Sequence, residues 1–384
     1  MTDTSNRRVA EAVRLRLPDA GGRYPVGAAT LYLVDRTRKD PWAAEIAVRE
    51  LMATVFYPAG TVQGASRARY MTRGVAAVFS EGAPQVHPEL PRTGVDWAAT
   101  TTGAYGDAPA QRERRWPVLL HSPGGGDPRA LGTSVATDLA SRGWVVVAVD
   151  HPGDALAVEF PVARAGRERV RTTVFRGDPR ADAELFRIMI AARVADLRFV
   201  LCRLAELVAG RNPDAAGRPV PEGLGHALDL RRVGVYGHSA GGTAAAQALY
   251  EDSRIGAAVD WEGFLDQAPD ASGRPGELLP VARDGVERAL LLVGTDSFTG
   301  RAEMERSWAA ALAHPGGRVC RDRLDGTSHW VFTDYASMAP QLQAAGLMSG
   351  EGRARLVGAA DPAWSVPAVC RQVRTFFARY LPVR

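Results

Sequence analysis

Apolar runs alternate with amphipathic segments along most of the chain, which is the pattern of a mostly parallel sheet with helices on both faces. One run, at 144–149, is almost continuously apolar, as a strand covered on both faces must be. The predicted strands are 29–34, 51–57, 118–120, 144–149, 233–236, 255–259, 289–293 and 319–324. The predicted helices are 130–141, 181–209, 240–250, 301–312 and 367–380. The expected fold class is therefore α/β.

The segment 61–115 interrupts this pattern because it is rich in Gly, Pro and Arg and has no clean period. We predict a long insertion there that contributes to a substrate entrance, with Trp97, Tyr105 and His87 as candidate residues. The sequence contains no internal repeat and no low-complexity tract. We therefore predict a single domain over 1–384, with residues 1–22 as an N-terminal arm.

Charge and cysteine content narrow the range of partners. The 47 basic residues, of which Lys39 is the only lysine, are spread along the chain and nearly balanced by 43 acidic residues. A nucleic-acid binder clusters its cations, so we expect no nucleic-acid partner.

The three cysteines, Cys202, Cys320 and Cys370, are far apart and fit neither a zinc spacing nor a disulfide framework. This usage is typical of a reducing compartment.

Two targeting features are not apparent in the sequence. Residues 1–8 are polar and precede no apolar segment of the kind found in secretory signals. A run of about 18 apolar residues, as a transmembrane helix needs, does not occur either. We therefore expect a cytoplasmic protein without a transmembrane segment.

A candidate nucleophile lies between a predicted strand and a predicted helix. Gly237-His238-Ser239-Ala240-Gly241 matches the pattern G-x-S-x-G, and it joins the strand 233–236 directly to the helix 240–250. In that setting the serine occupies a sharp turn that exposes its hydroxyl, and a Cβ atom two residues before or after it would clash. The alternative is an ordinary glycine-rich turn in which Ser239 caps the helix. The context favours the nucleophile, with His238 as a spacer.

A serine nucleophile needs a general base, and in this strand–turn–helix arrangement the chain order is serine, acid, histidine. The histidines that follow Ser239 are His314 and His329. His314 ends the predicted helix 301–312, where a favourable interaction with the helix dipole is sufficient to explain it. His329 follows the strand 319–324, so we predict that His329 is the base.

Two aspartates are candidates for the acid that orients the base. Asp260 follows the strand 255–259, and Asp296 follows the strand-like run 289–294. Either could hold the imidazole in the required tautomer, and the pattern of residues does not separate them. The other aspartate would then be a turn or capping residue.

Acyl transfer also requires amide donors for the oxyanion. We predict that one donor is the N–H of Ala240, at the start of the helix that follows the nucleophile. The second is predicted in the glycine-rich loop Ser122-Pro123-Gly124-Gly125-Gly126, with Gly125 as the donor. The alternative for this loop is a flexible turn without a catalytic role.

With these motifs the chain resembles the α/β-hydrolases similar to platelet-activating-factor acetylhydrolase and its bacterial lipase and esterase relatives, over about 22–381. Besides the motifs above, the matching stretches are Gly22-Arg23-Tyr24-Pro25-Val26-Gly27, Tyr57-Pro58, Arg129, Asp138-Leu139-Ala140-Ser141-Arg142-Gly143-Trp144, Val149-Asp150-His151, Val259-Asp260-Trp261 and Gly326-Thr327-Ser328-His329.

The resemblance implies an α/β-hydrolase fold and a serine esterase that cleaves short or medium acyl esters without a metal or cofactor. In that family the acid follows the strand after the nucleophile helix, which favours Asp260 over Asp296. Mammalian members have His-Gly in the oxyanion loop, whereas this chain has Pro123-Gly124, as in bacterial cutinase-like relatives. The change leaves a backbone N–H group available as the donor, but the pocket wall and the substrate range are expected to differ from those of the mammalian members.

Residues beside the predicted acid and base are candidates for substrate binding. Trp261 and Trp330 are predicted to line an acyl or alcohol pocket, whereas Phe264 is expected in the core. Arg129 either faces the pocket mouth or caps its helix. The predicted substrate is a small-molecule or lipid-like ester. The alternatives are an acyltransferase, thioesterase or cyclase that uses the same residues, and a scaffold that binds a small molecule without catalysis.

Overall fold

The computed structural model describes residues 12–383. The polar stretch 1–8, and with it the first half of the predicted arm 1–22, lies outside the described residues. The rest of the arm packs on the domain, since Val13 pairs with Val95 and both Leu15 and Leu17 are buried.

The described residues form an α/β structure that contains every predicted strand and helix, together with further elements that were not predicted. The strands within 12–383 are β1 (Val26–Asp35), β2 (Arg49–Pro58), β3 (Arg67–Arg69), β4 (Thr101–Gly106), β5 (Trp116–Ser122), β6 (Val145–Val149), β7 (Ala157–Glu159), β8 (Val170–Thr172), β9 (Leu228–His238), β10 (Ile255–Trp261), β11 (Ala289–Thr295) and β12 (Val319–Leu324). The α-helices in the same range are α1 (Arg73–Val86), α2 (Thr133–Ser141), α3 (Ala183–Val208), α4 (Leu224–Ala227), α5 (Ala240–Glu251), α6 (Pro280–Arg283), α7 (Arg301–Leu312), α8 (Tyr335–Ala344), α9 (Gly350–Val357) and α10 (Pro362–Tyr380).

One sheet organises the fold, with the strand order β12-β11-β10-β9-β5-β6-β2-β1-β4-β3 over the described residues. The strands from β12 to β6 run parallel to their neighbours, whereas β2 is antiparallel to both β6 and β1. Separate apolar clusters cover the two faces, one with α2, α8 and α10 and the other with α3, α5 and α7. This architecture confirms the predicted α/β-hydrolase fold.

The parallel strands bring distant parts of the sequence to one edge of the sheet. The glycine-rich loop follows β5, Ser239 follows β9, the segment with Asp260 ends β10, and His329 follows β12. Because the carboxyl ends of parallel strands lie at the same edge, these loops meet there, at the place where open α/β sheets bind ligands.

The segment 61–115 is more regular than its composition indicates, because it contains β3, α1 and β4. The helix α1 begins after Thr72, whose side chain accepts a hydrogen bond from the N–H of Val75. Two of the candidate entrance residues lie elsewhere: Trp97 is buried against Phe79, and Tyr105 packs under a surface guanidinium.

Helices α8 and α9, which follow His329 in the chain, were not predicted from the sequence. None of the helices described between 12 and 383 is long and apolar enough to cross a membrane.

Candidate active site

Ser239 occupies a strained turn between β9 and α5. Its φ is +54° and its ψ is −123°, a backbone conformation that side-chain-bearing residues rarely adopt. A Cβ atom at Gly237 would overlap the carbonyl group of Gly241, and one at Gly241 would overlap the carbonyl oxygens of Ser122 and Pro123. The glycines are therefore required by close packing of the backbone, as the sequence pattern predicts. The turn leaves Ser239 partly exposed, in the wall of a cavity.

This packing gives a stability prediction for the turn. We expect Gly237→Ala and Gly241→Ala each to lower the free energy of unfolding by about 3 kcal/mol or more, because backbone atoms cannot move aside as side chains can. Thermal denaturation followed by circular dichroism measures the change. The matched control is Gly106→Ala, since a Cβ atom at Gly106 meets no atom closer than 3.8 Å. Variants at Gly237 and Gly241 as stable as the control would contradict this account.

His329, the predicted base, is held by a carboxylate that the sequence did not single out. Its Nδ1 lies 2.7 Å from Oε2 of Glu262, a side chain with no exposed surface. The other carboxylate oxygen of Glu262 accepts hydrogen bonds from the N–H of Thr295 at 2.5 Å and from its hydroxyl at 2.7 Å. An ionised carboxylate only accepts, so Nδ1 carries the proton in this contact and Nε2 is left with a lone pair. That is the tautomer a general base requires.

Asp260, predicted as the acid, lies elsewhere, and the structure corrects the partner of His329 to Glu262. Asp260 pairs in register with Gly237 on β9, and its Oδ1 accepts a hydrogen bond from the N–H of Gly263 at 2.6 Å. This carboxyl lies beneath the start of α5, where a Cβ atom on Gly242 would collide with it. The chain then turns at Glu262, whose φ of +54° carries its side chain towards His329.

Asp296, the other aspartate considered, also does not contact His329. It is on an exposed loop after β11 and accepts a hydrogen bond from the N–H of Gly326, at the start of the segment that leads to His329. His314 is outside the site as expected, with its Nε2 3.0 Å from the carbonyl oxygen of Ala282.

Burial sets the protonation states at this site. Burial and, to a smaller extent, the neighbouring His238 lower the pKa of His329 to about 4, whereas Glu262 acts in the opposite direction. The two imidazole rings are 4.3 Å apart, and Phe298 stacks on the other side of His329 at 4.4 Å. Burial raises the pKa of Asp260 well above its ordinary value, and the neighbouring Glu262 raises it further. At neutral pH His329 is therefore a neutral imidazole, whereas at Asp260 burial shifts the balance towards the protonated carboxylic acid.

The two residues predicted to donate to the oxyanion are neighbours in the cavity wall. Gly125 and Ala240 both line the cavity that contains Ser239 and His329. A Cβ atom on Gly125 would lie 3.7 Å from the Cβ of Ala240, which is ordinary van der Waals contact. The glycine-rich loop and the N-terminus of α5 are thus close enough for their N–H groups to converge on one atom.

The cavity next to these residues has a volume of about 1130 Å³ and is lined mainly by apolar and aromatic side chains. Trp330 lines it, as predicted, and so does His87 from the segment 61–115. Phe264, expected in the core, is buried but also contributes to the wall. Aromatic rings from several elements complete the lining: Phe79, Phe175, Phe186, Phe298 and Tyr335.

This cavity is lined neither by Trp261, which was predicted to line the pocket, nor by Arg129, for which the pocket mouth was one of two predicted positions, and the structure corrects both placements. Neighbouring residues of a strand point to opposite faces, and Trp261 accordingly points away from Asp260, into the core, where its ring stacks on Phe332. Arg129 instead pairs with Asp150, and its Nε donates to the hydroxyl of Thr54 at 2.8 Å.

One cation of the cavity wall is held by two carboxylates. Arg180 forms ion pairs with Asp266 and Glu303, and its guanidinium lies 3.7 Å from the centre of the Phe264 ring. Within residues 12–383, no group of three or more His, Cys, Asp and Glu side chains is arranged to hold a metal ion.

The sequence is similar to a known family and to several known proteins. The family described as platelet-activating factor acetylhydrolase, isoform II, matches residues 12–355. A probable 1-alkyl-2-acetylglycerophosphocholine esterase of Arthroderma benhamiae is 26% identical over 273 residues, which cover 68% of this chain and 59% of that protein. The platelet-activating factor acetylhydrolase of Cavia porcellus is 26% identical over 164 residues, or 40% of this chain and 37% of that one. The chain thus spans less than two thirds of the length of these relatives.

Among solved structures, a ferulic acid esterase from Streptomyces cinnamoneus is similar over almost the whole domain. The two share 29% sequence identity with a TM-score of 0.69, over 97% of this chain and 94% of that one.

Proposed function

Because the chain belongs to the platelet-activating factor acetylhydrolase isoform II family, we propose that it is a serine hydrolase that cleaves carboxylic esters through an acyl-enzyme. The observation that carries the proposal is the hydrogen bond between His329 and the buried carboxylate of Glu262, in the wall of the cavity that also contains Ser239. The imidazole of His329 is neutral, is oriented by a carboxylate, and lines the same cavity as a serine on a strained turn.

In the acylation step, the hydroxyl of Ser239 attacks the ester carbonyl while Nε2 of His329 takes its proton. The imidazolium that forms is stabilised by Glu262, which accepts the Nδ1–H hydrogen bond throughout. Negative charge develops on the carbonyl oxygen, and the N–H groups of Gly125 and Ala240 stabilise it. Collapse of the tetrahedral intermediate breaks the bond to the alcohol oxygen, and His329 gives the proton to the leaving alcohol.

Deacylation repeats these steps with water as the nucleophile. His329 removes a proton from water, the hydroxide adds to the acyl carbon, and the same amide groups bind the second oxyanion. Breaking the bond to Ser239 returns its hydroxyl and releases the acid. The Ser239, His329 and Glu262 side chains and the two N–H groups thus supply every catalytic role of this mechanism.

The proposed substrates are esters of short or medium apolar or aromatic acyl groups. The aromatic lining, in which Phe298 and Trp330 flank His329, favours a planar or apolar group next to the reacting carbonyl. The relatives named for acetyl-ester and ferulic acid ester hydrolysis fit the same range. Rates on a p-nitrophenyl ester series from acetate to decanoate, with methyl ferulate alongside, test the proposal. A purified protein that hydrolyses none of these esters would refute it.

The low pKa of His329 predicts an unusual pH profile. The base must be unprotonated to accept the proton of Ser239, so kcat/KM falls as the pH drops below the pKa of His329 in the free enzyme. With that pKa at about 4, we expect kcat/KM to be nearly constant from pH 7 to about pH 5.5. A histidine with the ordinary pKa of about 6.5 would be mostly protonated at pH 5.5, and most of the activity would be lost at that pH. Circular dichroism at each pH controls for unfolding. An acid limb centred at or above pH 6.5 would contradict the assignment.

A further inference from the structure

Arg193 lies behind the glycine-rich loop and holds two of its carbonyl groups. It belongs to α3, and its side chain is buried with only 1% of its surface exposed. One terminal nitrogen donates to the carbonyl oxygen of Pro123 at 2.5 Å, and the other donates to that of Gly124 at 2.9 Å. A buried guanidinium that holds two consecutive carbonyl groups fixes the orientation of both peptide planes.

The orientation of the second peptide plane determines where the predicted oxyanion donor points. The chain has no cis peptide bond among the described residues, so the carbonyl of Gly124 and the N–H of Gly125 point in opposite directions. Because the carbonyl of Gly124 points at Arg193, beneath the loop, the N–H of Gly125 points away from it. Gly125 itself lines the cavity and lies next to Ala240, whereas Arg193 does not line it.

The carboxylate of Asp154 pairs with Arg193 and also binds the far end of the glycine-rich loop. Asp154 is buried, and its Oδ2 lies 2.6 Å from Nε of Arg193. Its Oδ1 accepts a hydrogen bond from the N–H of Gly126 at 3.0 Å. Asp154 therefore neutralises the buried charge of Arg193, and the two side chains together fix the peptide groups on both sides of Gly125.

From this arrangement we infer that Arg193, together with Asp154, is a positioning residue that aims the N–H of Gly125 at the oxyanion. The inference rests on the proposed function. It assigns the task of preorganising one oxyanion donor to two side chains that do not themselves line the cavity and therefore do not touch the substrate.

Arg193→Lys tests the inference because it keeps the charge but loses the fork that holds two carbonyls at once. We expect kcat on p-nitrophenyl acetate to fall about 10- to 100-fold with KM nearly unchanged, as for a displaced donor. Asp154→Asn, a smaller change that keeps a hydrogen-bond acceptor for Gly126, should give a loss in the same direction. It keeps the test valid if Arg193→Lys does not fold.

A transition-state analogue separates positioning from a general loss of structure. Phenylboronic acid forms a tetrahedral adduct in which the Ser239 oxygen bonds to boron, the hydroxyl proton passes to His329, and one boron-bound oxygen takes the oxyanion position. We expect the inhibition constant for this acid to rise by the same factor as kcat/KM falls in both variants, because both quantities report the same donor.

Arg167→Lys is the matched control. Arg167 is equally buried, lies 2.7 Å from Glu50 and donates to the carbonyl of Val162 at 2.8 Å, away from the glycine-rich loop. It should lower the melting temperature without changing kcat or boronate affinity. Folded variants at Arg193 and Asp154 with wild-type kcat, or with reduced kcat and unchanged boronate affinity, would overturn the inference. A wild-type protein that neither hydrolyses esters nor binds the boronate would instead overturn the proposed function.

Discussion

Replacing Ser239 by Ala is expected to lower kcat for p-nitrophenyl acetate about 10⁶-fold, because the attacking atom is lost. Only the residual rate that the remaining groups of the site support is then left. The fold should survive because the hydroxyl of Ser239 faces the cavity and its removal leaves the strained turn intact. Initial rates at high enzyme concentration measure the effect, and circular dichroism confirms the fold.

Ser328→Ala is the matched control for that variant. Ser328 is adjacent to His329, but its hydroxyl lies 3.4 Å from the carbonyl oxygen of Ala354 rather than in the cavity. Its replacement should change kcat by no more than a few fold. Loss of activity in the Ser328 variant with activity retained in the Ser239 variant would refute the assignment of the nucleophile.

The second large effect is expected for Glu262→Gln, with a decrease in kcat of about 10³- to 10⁴-fold. A glutamine amide oriented to keep the bonds from Thr295 presents an N–H group to Nδ1 of His329, which favours the tautomer with its proton on Nε2. That tautomer cannot take a proton from Ser239, and the imidazolium also loses its carboxylate partner. Steady-state kinetics on p-nitrophenyl acetate measure the change.

Asp260→Asn distinguishes Glu262 from Asp260, the acidic residue that the sequence favoured as the partner of His329. Burial raises the pKa of Asp260 well above its ordinary value, which favours the protonated acid, and an asparagine has nearly the same shape as that acid. Its carbonyl oxygen can still accept the hydrogen bond from the N–H of Gly263. We therefore expect kcat within about tenfold of wild type. A greater loss in Asp260→Asn than in Glu262→Gln would restore Asp260 as the acid.

The nucleophile turn could be predicted from the sequence because it depends on a short-range pattern. The glycines around Ser239 are required by backbone contacts within a few residues, and the strand and helix beside them have clear periods. His329 follows from chain order and from its place after a strand. Both residues line the same cavity, as this reasoning requires, although their catalytic roles stay a prediction.

The partner of His329 was missed because it depends on one backbone angle. Glu262 follows Asp260 by two residues, and only the positive φ at Glu262 carries its carboxylate towards His329 while that of Asp260 stays beneath α5. No propensity predicts such a conformation at a glutamate. The available signal was weaker: a second acidic residue at the end of a buried strand.

Tertiary contacts explain the other differences. Helix α1 contains Gly74, Gly82 and Pro84, which are poor helix formers, and its sequence therefore lacks a helical signal. A Cβ atom at Gly82 would lie 2.8 Å from a methyl group of Leu156, so the glycine serves close packing. Arg193 offered a clearer signal, since a charged residue within the buried stripe of α3 must have buried partners.

The site of phosphonylation by a fluorophosphonate tests the central claim most directly. The reagent reacts with a serine whose proton is removed by a neighbouring base, and mass spectrometry of peptides identifies the modified residue. We expect one adduct, on the peptide that contains Ser239, formed at least 10³-fold more slowly in Glu262→Gln. An adduct on any other residue, or no adduct on a folded and concentrated protein, would contradict the account.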